Sequence, residues 1–143
     1  MSRLKRNELI TKIMTRDLQT ITIKTPLSEV GKIFAESKFH HLPVFDGAKL
    51  IGLLSYTDLM RVSFADSFGV VANQNVYEVL DNTTSVDRVM TRDPKVINSH
   101  QSVREAAEIL SQEAYHALPV VDDGELAGIV TSVDLLTYLL DQY

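Results

Sequence analysis

The sequence predicts a mixed α/β (α+β) fold made of two similar β-α-β-β-α units, and two observations carry this prediction. When the chain is shifted by 76 places onto itself, 16 of the 49 positions from residue 13 to residue 61 are identical and no gap is needed. Composition alone would give about 3 identities. Within each copy, short β-branched runs alternate with stretches in which apolar residues recur at helical spacing. A repeat of this kind determines the organisation of the whole chain.

The repeat divides the chain of 143 residues into four segments. An N-terminal helix or lead-in occupies 1–12, the first copy 13–61, a linker with a short helix 62–88, and the second copy 89–143. In the linker, polar turns at 73–75 and 81–84 are expected to flank a helix around 76–80. Because each copy is short for an independent domain, the two copies are expected to share one core.

Each copy opens with a short β-branched strand, at residues 20–23 and 96–97, and then shows helix-start chemistry. In the first copy, Thr25 is the expected capping hydroxyl and Pro26 takes the first helical position. In the second copy, Ser102 and Glu105 have the spacing of a capping box. The apolar residues that follow recur with a period of 3.6, which indicates the buried face of a helix.

A β-hairpin and a second helix complete each copy. The hairpin strands are predicted at residues 42–45 and 50–54, and at 118–121 and 126–130, around turns rich in Asp and Gly. The second helix opens after Ser55 and after Thr131. In the last helix, the stripe of Leu135, Leu136, Leu139 and Leu140 is interpreted as core or as a dimer seam.

Composition excludes several classes of function. The net charge is −5, from 14 basic and 19 acidic residues, which makes nucleic acid an unfavourable partner. The chain has 0 Cys, so it offers neither a thiolate nucleophile nor a disulfide framework, and a reducing compartment fits it best. Since no apolar run of 18 residues and no signal-peptide pattern is present, we expect a cytoplasmic protein with no membrane segment.

The most informative pattern is Ser/Thr-x-x-Asp at a strand-to-helix turn, which occurs as Ser55 with Asp58 and again as Thr131 with Asp134. One interpretation is structural, because a hydroxyl and a carboxylate at this spacing form a capping box. The other is functional, because a helix N-terminus attracts phosphate and a carboxylate there accepts hydrogen bonds from the two hydroxyls of a ribose. Both copies carry the shorter Asp, although a capping box favours Glu or Gln at that position.

These motifs resemble a known family. The paired Met-Thr, Leu-Pro-Val-x-Asp and Gly-x-x-Ser/Thr-x-x-Asp-Leu segments are similar to those of the tandem cystathionine-β-synthase-type (CBS) domain pair, or Bateman module. The resemblance covers nearly all the chain outside its first residues and 62–88. It implies two units packed about a pseudo-two-fold axis, with clefts that bind adenine nucleotides or other adenosyl ligands, and a homodimer.

The resemblance also implies roles for individual residues. Asp58 and Asp134 would bind the ribose hydroxyls, and Ser55 and Thr131 the ribose or a phosphate. The remaining candidates would line the base pocket or approach the phosphate: Thr20, Ile21, Pro43, Val96, Ile97 and Pro119 for the base, and His40 and His116 for the phosphate. Many family members have Arg at the next position, whereas this chain has His41 and Ala117, which disfavours a polyphosphate.

Three classes of function remain in order of support. The leading hypothesis is a regulatory module that senses AMP, ADP, ATP or another adenosyl compound, needs no other cofactor, and acts in trans on an effector protein. The alternative is a structural or interaction module whose clefts are vestigial and whose Asp residues only cap helices. An enzyme is the weakest hypothesis, because no catalytic Ser/His/Asp or paired-carboxylate pattern stands out. Adjacent His40 and His41 point to opposite faces of a strand, so no metal site is expected.

Overall fold

The computed structural model describes residues 8–66, 76–114 and 116–143. They form a mixed α+β structure, which confirms the predicted fold class. Two compact units are present. One is the continuous segment Gln19–Pro94, and the other combines the N-terminal Met1–Leu18 with Lys95–Tyr143.

The unit Gln19–Pro94 contains a four-stranded sheet of order β1-β2-β3-β4. Strand β1 is parallel to β2, and the other two pairings are antiparallel. Its elements, in chain order, are β1 (Ile21–Thr22), α1 (Leu27–Glu36), β2 (His41–Asp46), β3 (Lys49–Ser55), α2 (Tyr56–Asp66), α3 (Val76–Thr83), α4 (Val86–Val89) and β4 (Thr91–Arg92).

The other unit contains a three-stranded sheet of order β5-β6-β7, again with one parallel and one antiparallel pairing. A bridge between Thr15 and Ile129 adds the N-terminal segment to the outer side of β7. The elements of this unit are a 3-10 helix (Ile10–Lys12), β5 (Ile97–Asn98), α5 (Val103–Gln112), β6 (Ala117–Asp122), β7 (Glu125–Thr131) and α6 (Ser132–Asp141).

The strands of the two hairpins pair in the same register, as the repeat predicts. Each shows a register irregularity at the same place, between Val44 and Phe45 and between Val120 and Val121. Both turns use glycine in the left-handed region, where glycine lacks the steric penalty of other residues. The φ angles are 61° at Gly47 and 81° at Gly124.

The two capping predictions have different outcomes. Ser102 caps α5 by accepting a hydrogen bond from Glu105 N at 3.1 Å, which confirms one half of the predicted capping box, whereas the Glu105 carboxylate accepts from Gln101 Nε2 at 2.6 Å. The prediction for α1 was wrong: the Thr25 hydroxyl accepts from Thr22 N at 3.0 Å, and Pro26 is the N-cap residue without a side-chain cap. A distant carboxylate completes the first turn of this helix instead, because Asp81 Oδ1 accepts from Ser28 N at 2.9 Å.

The linker 62–88 contains more helix than the sequence predicts. Helix α2 continues to Asp66, α3 extends through the polar residues 81–83 that were expected to form a turn, and α4 follows. The other predicted turn, at 73–75, lies outside the described residues, as do the first seven residues of the lead-in. At the start of α4, the Ser85 hydroxyl donates to Asp87 Oδ1 at 2.5 Å, and this bond holds the pKa of that carboxyl below its ordinary value.

Buried apolar side chains form two clusters, so the expectation of a single shared core was wrong. One cluster is centred on the unit Gln19–Pro94 and includes Leu27, Leu42 and Leu54. The other lies in the second unit and includes Ile97 and Leu118. Each cluster packs between one face of its sheet and the helices of the same unit.

Each Met-Thr segment packs in the unit that is formed mainly by the other sequence copy. Met90, from the start of the second copy, lies in the core cluster of the first unit and packs on Gly52 of β3. Met14, from the first copy, lies in the other cluster and packs on Gly128 of β7. The sequence copies and the compact units therefore have different bounds, since each unit takes its Met-Thr segment from the other copy.

Candidate functional site

The strand-to-helix turn at Ser55 is a reciprocal capping box. Ser55 N donates to Asp58 Oδ2 at 3.0 Å, and Asp58 N donates to the Ser55 hydroxyl at 3.0 Å. Two N–H groups that would lack partners at the end of β3 and the start of α2 are satisfied in this way. The Asp58 carboxylate is thereby held in one orientation, with only 14% of the side chain exposed.

The turn at Thr131 repeats this arrangement. Thr131 N donates to Asp134 Oδ2 at 2.9 Å, and Asp134 N donates to the Thr131 hydroxyl at 3.2 Å. The structural interpretation of the motif is therefore correct in both copies. The capping box leaves hydrogen-bond acceptor capacity on each carboxylate, because an ionised carboxylate has about four lone-pair sites and the box occupies one of them. Capping and ligand binding are compatible at the same residue.

The two turns differ in charge. In the first, Arg61 Nη1 lies 3.3 Å from Asp58 Oδ1, and the Arg61 side chain is 70% exposed. An exposed ion pair of this kind contributes at most about 1 kcal/mol and is easily replaced. In the second, Thr137 takes the position of Arg61, and among the described residues Asp134 forms no ion pair. The first turn thus has a cation beside its carboxylate, and the second has not.

The histidine before each hairpin contacts the same helix start through its backbone. His40 O accepts from Tyr56 N at 2.8 Å, and His116 O accepts from Ser132 N at 2.9 Å. Both side chains are exposed, so they are available to an anion at the turn. The structure thus brings the backbone of each histidine next to the Ser/Thr and Asp that the family resemblance assigns to the same site.

Tyr56 is a candidate that the sequence interpretation missed. Its ring packs edge-on against buried Phe34, at a centroid distance of 5.7 Å, and lies 6.1 Å from the His40 ring. Tyr56 is still 44% exposed, which leaves an aromatic surface beside the first turn. The signal was its place within Ser-x-x-Asp. The second copy has Ser132 there, so only the first turn has this ring.

The strand candidates divide into core and surface. The side chains of Ile21 and Ile97 lie in the core clusters, so their backbone atoms are what a ligand could contact. Thr20 and Val96, one position earlier, are exposed.

Pro43 and Pro119 are the third residues of β2 and β6 and are buried. The register places Pro43 just beyond the two-residue strand β1, and Pro119 has the equivalent place beside β5. The missing N–H of each proline therefore costs no bond of the parallel ladder. Each proline stands next to an exposed residue of the candidate site, Thr20 or Val96.

Comparisons with known proteins identify related chains. The sequence model described as CBS domain matches residues 10–65 and 86–141. CBS domain-containing protein CBSX1 of Arabidopsis thaliana is 32% identical over 132 residues, which cover 80% of this chain and 56% of that protein. Protein MJ1225 of Methanocaldococcus jannaschii is 29% identical over 140 residues, which cover 96% of this chain and 49% of that protein. The chain thus spans about half the length of these relatives.

Solved structures share the fold. The crystal structure of MJ1225 matches with a TM-score of 0.76 at 30% identity, covering 93% of this chain and 48% of that one. The structure of CBSX2 from Arabidopsis thaliana in complex with AMP matches with a TM-score of 0.73 at 26% identity, covering 94% of this chain and 97% of that one. No helix among the described residues is long and apolar enough to cross a membrane.

Proposed function

Because this chain belongs to the CBS domain family, we propose that it is a regulatory module that binds an adenine nucleotide or another adenosyl ligand and is not itself an enzyme. The observation that carries the proposal is the duplicated Ser/Thr-x-x-Asp turn, in which the same pair of side chains is held in the same orientation twice. The AMP complex of CBSX2 supports the ligand class.

In this proposal each turn holds the sugar of one ligand. The free lone pairs of Asp58 or Asp134 accept from the ribose hydroxyls, and the hydroxyl of Ser55 or Thr131 contacts ribose or phosphate. The histidine beside each turn, His40 or His116, approaches the phosphate. The base lies toward the β1 or β5 side of the turn, against the strand candidates: Thr20, the Ile21 backbone and Pro43, or Val96, the Ile97 backbone and Pro119.

The charge distribution favours a ligand with few negative charges. The chain carries −5 overall, and the exposed cation of the first turn, Arg61, already pairs with Asp58. A polyphosphate would need several cations to offset its charge. We therefore expect AMP, or an adenosyl compound with an uncharged 5′ substituent, to bind more tightly than ATP. We also expect the turn with Arg61 to tolerate phosphate better than the turn at Thr131.

A thermal-shift and calorimetric titration tests the proposal. AMP, ADP, ATP and S-adenosylmethionine are added separately to the purified chain, and a ligand at 100 times its Kd should stabilise it by about 2.7 kcal/mol. We expect AMP to give a larger shift than ATP at equal concentration. Absence of a shift and of binding heat with all four compounds would contradict the proposal. GMP serves as the matched control for base selectivity.

We also propose that the chain forms a homodimer through α6. Its exposed apolar side chains follow one stripe of the helix, with exposed fractions of 68% for Val133, 59% for Leu136 and 73% for Leu140. Of the predicted leucine stripe, Leu135 packs on the core cluster instead. A second copy would cover a stripe that water otherwise solvates unfavourably.

Light scattering tests this arrangement. Wild-type protein is expected to elute as a dimer, and Leu136→Asp with Leu140→Asp as a monomer, because two buried charges oppose the contact. Ala107→Asp, at an exposed position of α5 away from the stripe, is the control and should remain dimeric. A monomeric wild type at high concentration would contradict the dimer.

The regulatory output then follows from differential ligand affinity for two arrangements of this assembly, transmitted to a partner protein in trans.

A further inference from the structure

The two hairpins contain the same dipeptide at different places relative to the turn. The chain has two Asp-Gly pairs, Asp46-Gly47 and Asp123-Gly124. Asp46 is the last residue of β2 and pairs with Lys49 of β3. In the second hairpin the strand β6 ends at Asp122, which pairs with Glu125, so Asp123 is the first residue of the turn. One dipeptide is therefore present in two backbone settings.

Both pairs are open to an intramolecular reaction between the side chain and the next backbone nitrogen. All four residues are exposed. In the part of the chain that the structure describes, neither aspartate side chain forms a hydrogen bond or ion pair, and neither glycine N–H donates to a backbone carbonyl. Glycine also lacks the Cβ that would hinder approach to its nitrogen. The carboxyl carbon of each aspartate is therefore accessible to the nitrogen of the glycine that follows.

The reaction of an Asp-Gly pair proceeds through a five-membered ring. The glycine nitrogen attacks the aspartate Cγ and loses its proton as the new N–Cγ bond forms. The bond from Cγ to the carboxyl hydroxyl breaks, and one water leaves. Water then adds to the main-chain carbonyl carbon of this succinimide and breaks its bond to nitrogen, which leaves the chain connected through Cγ as isoaspartate. One water is released and one is consumed, so no oxidant, cofactor or other reactant is required.

The backbone setting decides which pair can form the ring. Ring closure requires rotation about the ψ bond of the aspartate until the next nitrogen faces Cγ. At Asp46 this rotation breaks the ladder pairing with Lys49, because Asp46 is part of β2. Asp123 lies outside the ladder and has a φ of 49°, a left-handed conformation that already carries a steric cost. Its rotation is therefore opposed less than the rotation of Asp46.

We propose that Asp123-Gly124 is a site of spontaneous isoaspartate formation and that Asp46-Gly47 is protected by its place in the strand. The product has a free α-carboxylate on an exposed turn, which is the group that an isoaspartyl O-methyltransferase methylates. The reaction is independent of the ligand proposed above. The turn lies about 20 Å along β7 from Thr131, so the extra backbone carbon alters the turn and leaves the candidate site in place.

Incubation of the wild-type protein at elevated temperature, with and without urea, tests the proposal. The protein is sampled over time and digested, and isoaspartate in each turn peptide is measured by enzymatic methylation and mass spectrometry. In folded protein we expect about 10-fold more isoaspartate at Asp123 than at Asp46, because reaction at Asp46 first requires the loss of ladder hydrogen bonds. In urea, where the ladder is absent, the two pairs should react at rates within about 2-fold of each other.

Two exchange variants are the matched controls. Gly47→Asp with Ala48→Gly places an Asp-Gly pair inside the first turn and should raise isoaspartate there to the level of Asp123 in the wild type. Asp123→Gly with Gly124→Ala leaves the pair at the end of β6 and should suppress isoaspartate in the second turn about 10-fold.

Urea denaturation checks that each exchange variant is folded, and the comparison of the two pairs within the wild type requires no variant. Equal isoaspartate at Asp46 and Asp123 in folded protein would overturn the proposal. So would a rate at Asp123 in folded protein that is below about one tenth of its rate in urea, because the turn would then protect the pair as the strand does.

Discussion

Gly128→Ala is expected to lower the free energy of unfolding by about 3 kcal/mol, and the equivalent change Gly52→Ala by about 1 kcal/mol. A Cβ at position 128 would lie 2.8 Å from Met14 Sδ and 2.8 Å from the Thr15 carbonyl oxygen. That carbonyl accepts a hydrogen bond from Ile129 N at 2.9 Å, so it cannot retreat without breaking the bridge. The added methyl therefore forces the N-terminal segment away from β7.

A Cβ at position 52 would contact a more flexible neighbour. The nearest atoms to a Cβ at this position all belong to the Met90 side chain, which has three rotatable bonds and can adjust. The loss of packing is partly offset because alanine restricts the unfolded chain more than glycine does, by about 0.4–1 kcal/mol. The same substitution at equivalent positions of one duplicated chain thus separates a backbone contact from a side-chain contact.

Urea denaturation followed by circular dichroism measures both effects, and double-mutant cycles separate them. Combining Gly52→Ala with Met90→Ala should recover most of the cost of the glycine change, since the obstructing side chain is gone. Combining Gly128→Ala with Met14→Ala should recover only part of it, because the Thr15 carbonyl remains. Equal costs at the two glycines, or full recovery in both cycles, would contradict the exchanged packing of the Met-Thr segments.

This exchange marks the limit of what could be predicted from the sequence. The strands and helices of each copy follow from local patterns, and the hairpin at Gly47 and its counterpart at Gly124 follow from turn chemistry. Which copy receives Met14 depends on pairing with β7, more than 100 residues later, and no local periodicity encodes a partner at that distance. The same reason explains the first turn of α1, where distant Asp81 supplies the acceptor that Thr25 was expected to supply.

The local geometry of the candidate site could be predicted more completely than the packing, for a physical reason. Ser55 and Asp58 are three residues apart at the start of a helix, so their contact is determined by helix geometry alone. His40 lies next to the same turn because the hairpin register pairs the start of β2 with the end of β3. Tyr56 was missed because its exposure and its packing on Phe34 depend on α1, a separate element.

Asp134→Asn is expected to reduce AMP affinity at the second turn by about 100-fold while changing apo stability by less than about 1 kcal/mol. The amide oxygen of Asn still accepts from Thr131 N, so the cap survives and only the favourable interaction with the helix dipole is lost. The amide nitrogen cannot accept a hydrogen bond, so the side chain no longer receives both ribose hydroxyls. Asp58→Asn should act alike on the first turn.

Calorimetry measures the affinities, and urea denaturation without ligand measures the apo stability. Asp46→Asn is the matched control: it removes the same charge from an exposed hairpin residue and should leave both quantities unchanged. Under the structural alternative the carboxylates serve only as caps. No adenosyl compound then binds the wild type, and the Asn variants have no affinity to lose. A wild type that no adenosyl compound stabilises would favour that alternative, because the capping boxes would then be the whole function of the duplicated motif.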